Sequence, residues 1–109
     1  MVENWEEVFE VGCKNARLKA ADFASDANTM PSEIVAEYVS DCQARAKFFE
    51  RCAQIYAEEM QEIETVAAQG RERAAARMVK ELGGKTAQEL AQALRDNTPQ
   101  NFAMYFDWN

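Results

Sequence analysis

The chemistry open to this chain is limited first by the side chains it lacks. Its 109 residues include no histidine, so the commonest general base is missing, and Ser-His and Cys-His nucleophile pairs are excluded. Neither a Walker loop nor a G-x-G-x-x-G motif occurs, and the pair Gly83-Gly84 is typical of a helix stop instead. What remains is carboxylate chemistry. Helical Glu-x-x-Glu pairs occur at Glu3 and Glu6, at Glu7 and Glu10, and at Glu59 and Glu62.

The pair Glu59-x-x-Glu62 resembles the paired carboxylates with which all-helical nucleotide pyrophosphatases hold magnesium. The resemblance implies magnesium-dependent nucleotide hydrolysis. That family follows its E-x-x-E with a later E-x-x-D, and no E-x-x-D occurs in this sequence. Since Glu-x-x-Glu is also a common spacing on solvated helical faces, hydrolysis is the third of our functional hypotheses.

A basic cluster is the best candidate for a ligand site. It consists of Arg71, Arg73, Arg77 and Lys80. Arginine binds phosphate through a two-pronged guanidinium, and the last three of these residues share one side of a helix. The cluster therefore predicts a phosphate- or nucleotide-binding or sequestering protein as the second hypothesis. The alternative is an ordinary cationic face paired with glutamates, including the acidic block at 58–64.

Helices must position these residues, because the apolar side chains from Met30 to Leu82 keep a 3-4 spacing over about five heptads. We therefore predict one long helix over about 31–82, continuous or gently kinked at Gly70. The alternative is a chain that folds back near Gly70 into a compact four-helix monomer.

The flanking segments are predicted to be helical as well. Asn4 with Glu7 forms a capping-box pattern before a helix at about 5–26, and Thr86 with Glu89 forms another before a helix at about 87–95. Thr98-Pro99 is typical of the start of a last helix, at about 99–106. The fold class is thus all-α, in one domain over 1–109: an antiparallel helical hairpin with a long second helix and short C-terminal helices.

The helix lengths favour self-association. The first helix would be about 33 Å long and the second about 78 Å, so the first covers less than half of its partner. The remaining apolar seam needs cover from the C-terminal helices or from a second copy, and we expect a symmetric homodimer. The interface candidates are Met60, Ile63, Ala67, Ala74 and Met78 on the seam, and the tail aromatics Phe102, Tyr105, Phe106 and Trp108. The tail aromatics could instead plug the end of the bundle.

Composition narrows the partners and the compartment. The formal net charge of −7 disfavours binding to a nucleic-acid backbone. No apolar run approaches the roughly 20 residues that span a bilayer, and the acidic N-terminus is unlike a secretion signal. Three cysteines without a C-x-x-C motif favour buried thiols in the reducing cytoplasm. No cofactor and no metal are expected.

These observations favour a non-enzymatic, cytoplasmic protein that acts through protein–protein interaction, as an adaptor or an inhibitor of a larger complex. Small regulators and host-defence antagonists of bacteriophages have a similar size and charge. That similarity is an analogy and does not rest on a motif.

Overall fold

The computed structural model describes residues 4–25, 31–61 and 66–99. These residues form four α-helices and contain no strand, which confirms the all-α fold class. The helices are α1 (Trp5–Ser25), α2 (Ser32–Met60), α3 (Ala67–Leu82) and α4 (Gly84–Asp96). Among the described residues, no helix is both long enough and apolar enough to cross a membrane.

The start of α1 follows the predicted capping pattern. The side-chain oxygen of Asn4 accepts a hydrogen bond from the backbone N–H of Glu7 at 2.8 Å. Such a bond pairs one of the backbone donors that the first turn of a helix leaves unsatisfied. The helix then runs to Ser25, close to the predicted end.

The predicted continuous helix over 31–82 is wrong, because the chain leaves the helical conformation before Gly70. Helix α2 ends at Met60, and Val66 has an extended backbone with φ −58° and ψ 138° before α3 begins. Two local features favour a break here. Glu58 and Glu59 lie in the last turn of α2, at the negative end of its dipole, and the β-branched residue types at positions 63, 65 and 66 are weak helix formers.

A second turn separates α3 from α4. Gly83 and Gly84 have φ of +65° and +85°, a region that side chains disfavour, so two glycines suit this position. The predicted capping box at Thr86 is wrong, because α4 already begins at Gly84 and Gly83 is its cap, with no side-chain hydrogen bond. The predicted helix over 99–106 lies, beyond Pro99, outside the described residues.

The order of contacts sets the direction in which each helix packs. Phe23 stacks on Tyr38 near the end of α1, whereas Phe9 near its start meets Tyr56 edge-on, so the contacts run in opposite order along α1 and α2. Helix α3 folds back over the second half of α2, and α4 packs on α3. The molecule measures 54 × 28 × 20 Å.

The core lies where all four helices meet. Ala74 and Met78 of α3 are fully buried there with Ile55 of α2 and with Leu90 and Leu94 of α4. The seam beyond α1 is therefore covered by the same chain, so Ala74 and Met78 are corrected from interface candidates to core residues. At the other end, the last turns of α1 and the first turns of α2 form a two-helix extension.

Candidate functional site: a groove between α1 and α2

An elongated groove of about 900 Å³ lies along the line where α1 meets α2. Its floor is apolar over most of its length. We call the following residues the groove floor: Phe9 and Cys13 of α1, and Phe49, Ala53, Tyr56 and Met60 of α2. The larger side chains of the floor are part of the core, while Ala53 and Met60 are only partly buried. A bound molecule would therefore contact a surface that is already fixed by packing.

Small side chains create the groove. On α2, Ala53 and Ala57 lie between larger residues, and on α1 Cys13 faces the same space. Because these side chains are short, the two helices leave a channel between them, and the rings of Phe9, Phe49 and Tyr56 line it. The small residues at 13, 53 and 57 are visible in the sequence, but they indicate a groove only once it is known which side of α2 is covered by α3.

A close approach of backbone to ring fixes the distance between the helices. A Cβ atom on Gly12 would lie 2.8 Å from two ring carbons of Phe49, which is closer than real side-chain contacts allow. Gly12 therefore lets α1 lie directly on the Phe49 ring, and the ring in turn forms part of the groove floor.

Charged side chains border the floor. On α1 they change sign along the helix, with Glu6 and Glu10 first and then Lys14 and Arg17. We call these four residues the groove rim. Arg17 pairs with Glu50 of α2 across the end of the groove. A ligand in the groove thus meets an apolar surface in the middle and charges of both signs at the edge.

The three cysteines are buried thiols, as predicted. Cys52 lies in the core, where burial raises its pKa to about 12. Burial also raises the pKa of Cys42, against the opposing effect of Arg45. Neutral, desolvated thiols are poor nucleophiles, so these two side chains act as small apolar residues. Within 4–25, 31–61 and 66–99, no three Cys, Asp or Glu side chains converge as a metal site would require.

The predicted basic cluster is only partly brought together. Arg77 binds Glu58 at 2.7 Å and Glu81 at 3.2 Å, and Arg73 lies 3.6 Å from Glu59. The contacts with Glu58 and Glu59 join α3 to the end of α2, whereas the contact with Glu81 lies within α3. The hydrogen bonds to Glu58 and Glu81 raise the pKa of Arg77. The pKa of Glu81 is lowered because Arg51 and Arg77 donate hydrogen bonds to it.

The other two cations of the cluster lie apart from this network. Lys80 is exposed on α3, whereas the Nε atom of Arg71 is buried and makes no hydrogen bond within the part of the chain that is described. Of the carboxylate pair proposed for magnesium, only Glu59 is among the described residues. Glu59 lies beside arginines, and Glu62 is outside the described residues.

The predicted interface candidates are distributed over several surfaces. Met60 belongs to the groove floor, Ala67 is exposed at the start of α3, and Ala74 and Met78 are buried. The remaining candidates, Ile63, Phe102, Tyr105, Phe106 and Trp108, lie outside the described residues. Of the predicted interface candidates, only Met60 lies in the groove, and the sequence had assigned it to a homodimer interface.

Comparison of the chain with protein-family models, with curated proteins and with solved structures gave no match.

Proposed function

We propose that the chain is a non-enzymatic protein that acts by binding another protein in the α1–α2 groove, as an adaptor or as an inhibitor. The observation that carries the proposal is the groove itself, in which an apolar floor lies between charged edges on two long helices. Apolar grooves of this kind bind amphipathic helices of partner proteins.

The dimensions of the groove support a helical partner segment. Its α1 edge extends from Glu6 to Leu18, which corresponds to about 18 Å along a helix axis. A partner helix of three to four turns would match that length, with apolar anchors at i, i+3, i+4 and i+7. Because the rim is acidic at one end and basic at the other, it also favours one orientation of a charged partner helix.

The phosphate-binding alternative has less support. Arg73 and Arg77 make ion pairs with carboxylates of α2 and α3, and a phosphate would have to replace those pairs. The hydrolase alternative has less support for the same reason, since Glu59 is already beside two arginines.

Self-association and a cytoplasmic location remain predictions within this proposal. The buried residues Ala74 and Met78 no longer call for a second copy. A homodimer would instead bury side chains that remain exposed on the two-helix extension, Ile34 at 39% and Tyr38 at 43%. Light scattering would then give twice the 12.4 kDa mass of one chain, and Ile34→Glu would reduce it to one chain.

Affinity capture with a matched pair of variants tests the proposal. Ala53 lies in the groove floor, and Ala44 is exposed nine residues earlier on α2, about two and a half turns away and therefore on the opposite face. Wild-type chain and the variants Ala53→Glu and Ala44→Glu would each be used to capture proteins from the cells that produce the chain.

The expected result is a partner that wild type and Ala44→Glu retain and that Ala53→Glu loses by at least about tenfold, because a charge placed in an apolar contact costs more than 1.4 kcal/mol. Circular dichroism and thermal unfolding of all three chains would establish that they are folded. Equal capture by both variants, or loss only in Ala44→Glu, would place binding elsewhere.

A further inference from the structure

We propose that residues 100–109 of the same chain, the C-terminal tail, occupy the α1–α2 groove until a partner displaces them. The inference rests on the proposed function, in that it takes the groove as the binding site and adds its regulation. Three independent observations point to this occupant.

The first observation is the place where the described chain ends. The Asn97 side-chain oxygen accepts a hydrogen bond from the Trp5 indole N–H at 3.1 Å, and Pro99 is buried two residues later. The Trp5 ring stacks on Phe9 with 6.2 Å between centroids, and Phe9 belongs to the groove floor. The described chain therefore ends close to the end of the groove where α1 begins.

The second observation is length. As a helix, the ten residues of the tail would extend about 15 Å, close to the roughly 18 Å from Glu6 to Leu18. A tail that starts beside Trp5 can thus cover the groove in one pass. Because the tail is covalently attached, its effective concentration at the groove is about millimolar, so even a weak intrinsic affinity keeps it bound.

The third observation is composition. The tail carries Phe102, Tyr105, Phe106 and Trp108, and the first three would share one face of a helix. That face matches the aromatic and aliphatic surface of the groove floor. The tail's one charged side chain, Asp107, is five residues from Phe102 and therefore lies on the opposite side of that helix, so the face that enters the groove carries no charged side chain.

Fluorine NMR of the intact chain tests the inference. The chain has two tryptophans, Trp5 and Trp108, so 5-fluorotryptophan labelling gives two resonances, which Trp108→Phe assigns. For a docked tail we expect the Trp108 resonance to differ from that of a free peptide with the sequence of residues 100–109. Ala53→Glu should move it to the free-peptide position, and Ala44→Glu should not.

A second pair of variants keeps the test decisive if Ala53→Glu does not fold. Phe106→Asp places a charge on the tail face that enters the groove and should move the Trp108 resonance to the position of a free peptide with the same change, because a charge in an apolar contact is costly. Met104→Asp places the same charge on the opposite side of the tail helix and should keep the docked resonance. No response to Phe106→Asp, or an equal response to both changes, would overturn the proposed docking of the tail in the groove.

The remaining outcomes identify other occupants. A free-peptide resonance in wild type would overturn the inference, and the groove would stay open for a partner. The Trp108 resonance should not change on roughly 100-fold dilution, because docking of a tail within its own chain does not depend on concentration. A resonance that moves toward the free-peptide position on dilution would also overturn the inference, and the occupant would then be the tail of a second copy. If Ala53→Glu loses the captured partner but the tail is free in wild type, the proposed function stands and the docking of the tail is wrong. If the tail is docked but no partner depends on Ala53, the docking of the tail stands and the proposed function is wrong.

Discussion

Gly12 is the residue on which the closeness of α1 and α2 most depends. In Gly12→Ala, helix propensity would stabilise the fold by about 1 kcal/mol, but the new methyl group would lie 2.8 Å from the Phe49 ring. Overpacking of a filled core costs about 1–3 kcal/mol. We therefore expect a net loss of about 1 kcal/mol in the free energy of unfolding, measured by urea denaturation.

Gly70 provides the control for this prediction. A Cβ at Gly70 would meet the sulfur of Met60 at 2.6 Å, at the flexible end of a side chain that can move aside. Gly70→Ala should therefore be neutral or stabilising by up to about 1 kcal/mol. If Gly12→Ala were as stable as Gly70→Ala, the close packing of α1 on Phe49 would be wrong.

Cys52 should make the protein less stable in alkali. Its thiol has an ordinary pKa of 9.0, which burial raises to about 12. Below pH 9 the thiol is protonated in both states and the stability it contributes is fully present. Above pH 9 unfolding releases its proton, so the free energy of unfolding falls as the pH rises, by at most about 1.4 kcal/mol per pH unit.

The quantity to compare between variants is the slope of the free energy of unfolding against pH, above pH 9. Cys52→Ala should lower stability at every pH but give a shallower fall, because it removes the buried thiol. Val8→Ala also removes buried volume, from a residue with 0% exposure, and should keep the wild-type slope. Equal slopes for wild type and Cys52→Ala would show that the thiol is not the group responsible.

Single residues were predictable from the sequence where their partners are local. The Asn4 cap depends on a backbone group three residues away, and it forms. Thr86 has an equally good pattern, but α4 begins at Gly84, after the positive-φ Gly83, three residues earlier than predicted, so the cap is not used. The role of Gly12 could not be predicted, because it depends on a ring from another helix.

At the scale of elements, Met78 holds α3 and α4 onto α2. Its side chain is fully buried in the core that joins the three helices. Met78→Ala should lower the free energy of unfolding by about 2–5 kcal/mol, through lost apolar contact and the cavity that remains. Hydrogen exchange should show the amides of α3 and α4 losing protection before those of α1.

Lys80→Ala is the matched control on the same helix. Lys80 is exposed, so its truncation should change stability by no more than about 0.5 kcal/mol. If the amides of all four helices lost protection equally in Met78→Ala, α3 and α4 would not unfold before α1 and α2. The four helices would then unfold as one cooperative unit.

The first helix could be predicted well, and the division between α2 and α3 could not. Met60, Ala67 and Ala74 continue one apolar column across the break, so the periodicity is the same whether the chain goes on or folds back. A hydrophobic period reports which side of a helix is buried and not which segment covers it. The glutamate block and the β-branched residues near 63–66 favour a break, but these weak local preferences do not by themselves show that the apolar period ends.

At the scale of the whole molecule, the groove is the part of the α1–α2 seam that stays uncovered after α3 packs on α2 and α4 packs on α3. Its position could not be read from the heptad spacing, since Met60 was assigned to a homodimer interface and the spacing does not show which side of α2 is left uncovered. The net charge and the lack of histidine were sufficient to limit the classes of function, and they did not locate a surface. The site became visible only when the fold-back of α3 was known.

Site-specific photo-crosslinking tests the central claim, that the groove binds a protein, most directly. A photoreactive phenylalanine analogue would replace Ala53 in the groove floor, or Ala44 on the opposite face of α2, in the cells that produce the chain. We predict a heavier adduct from position 53 and none from position 44. Adducts from position 44 alone, or none from either position while the chain is folded, would contradict a protein-binding groove between α1 and α2.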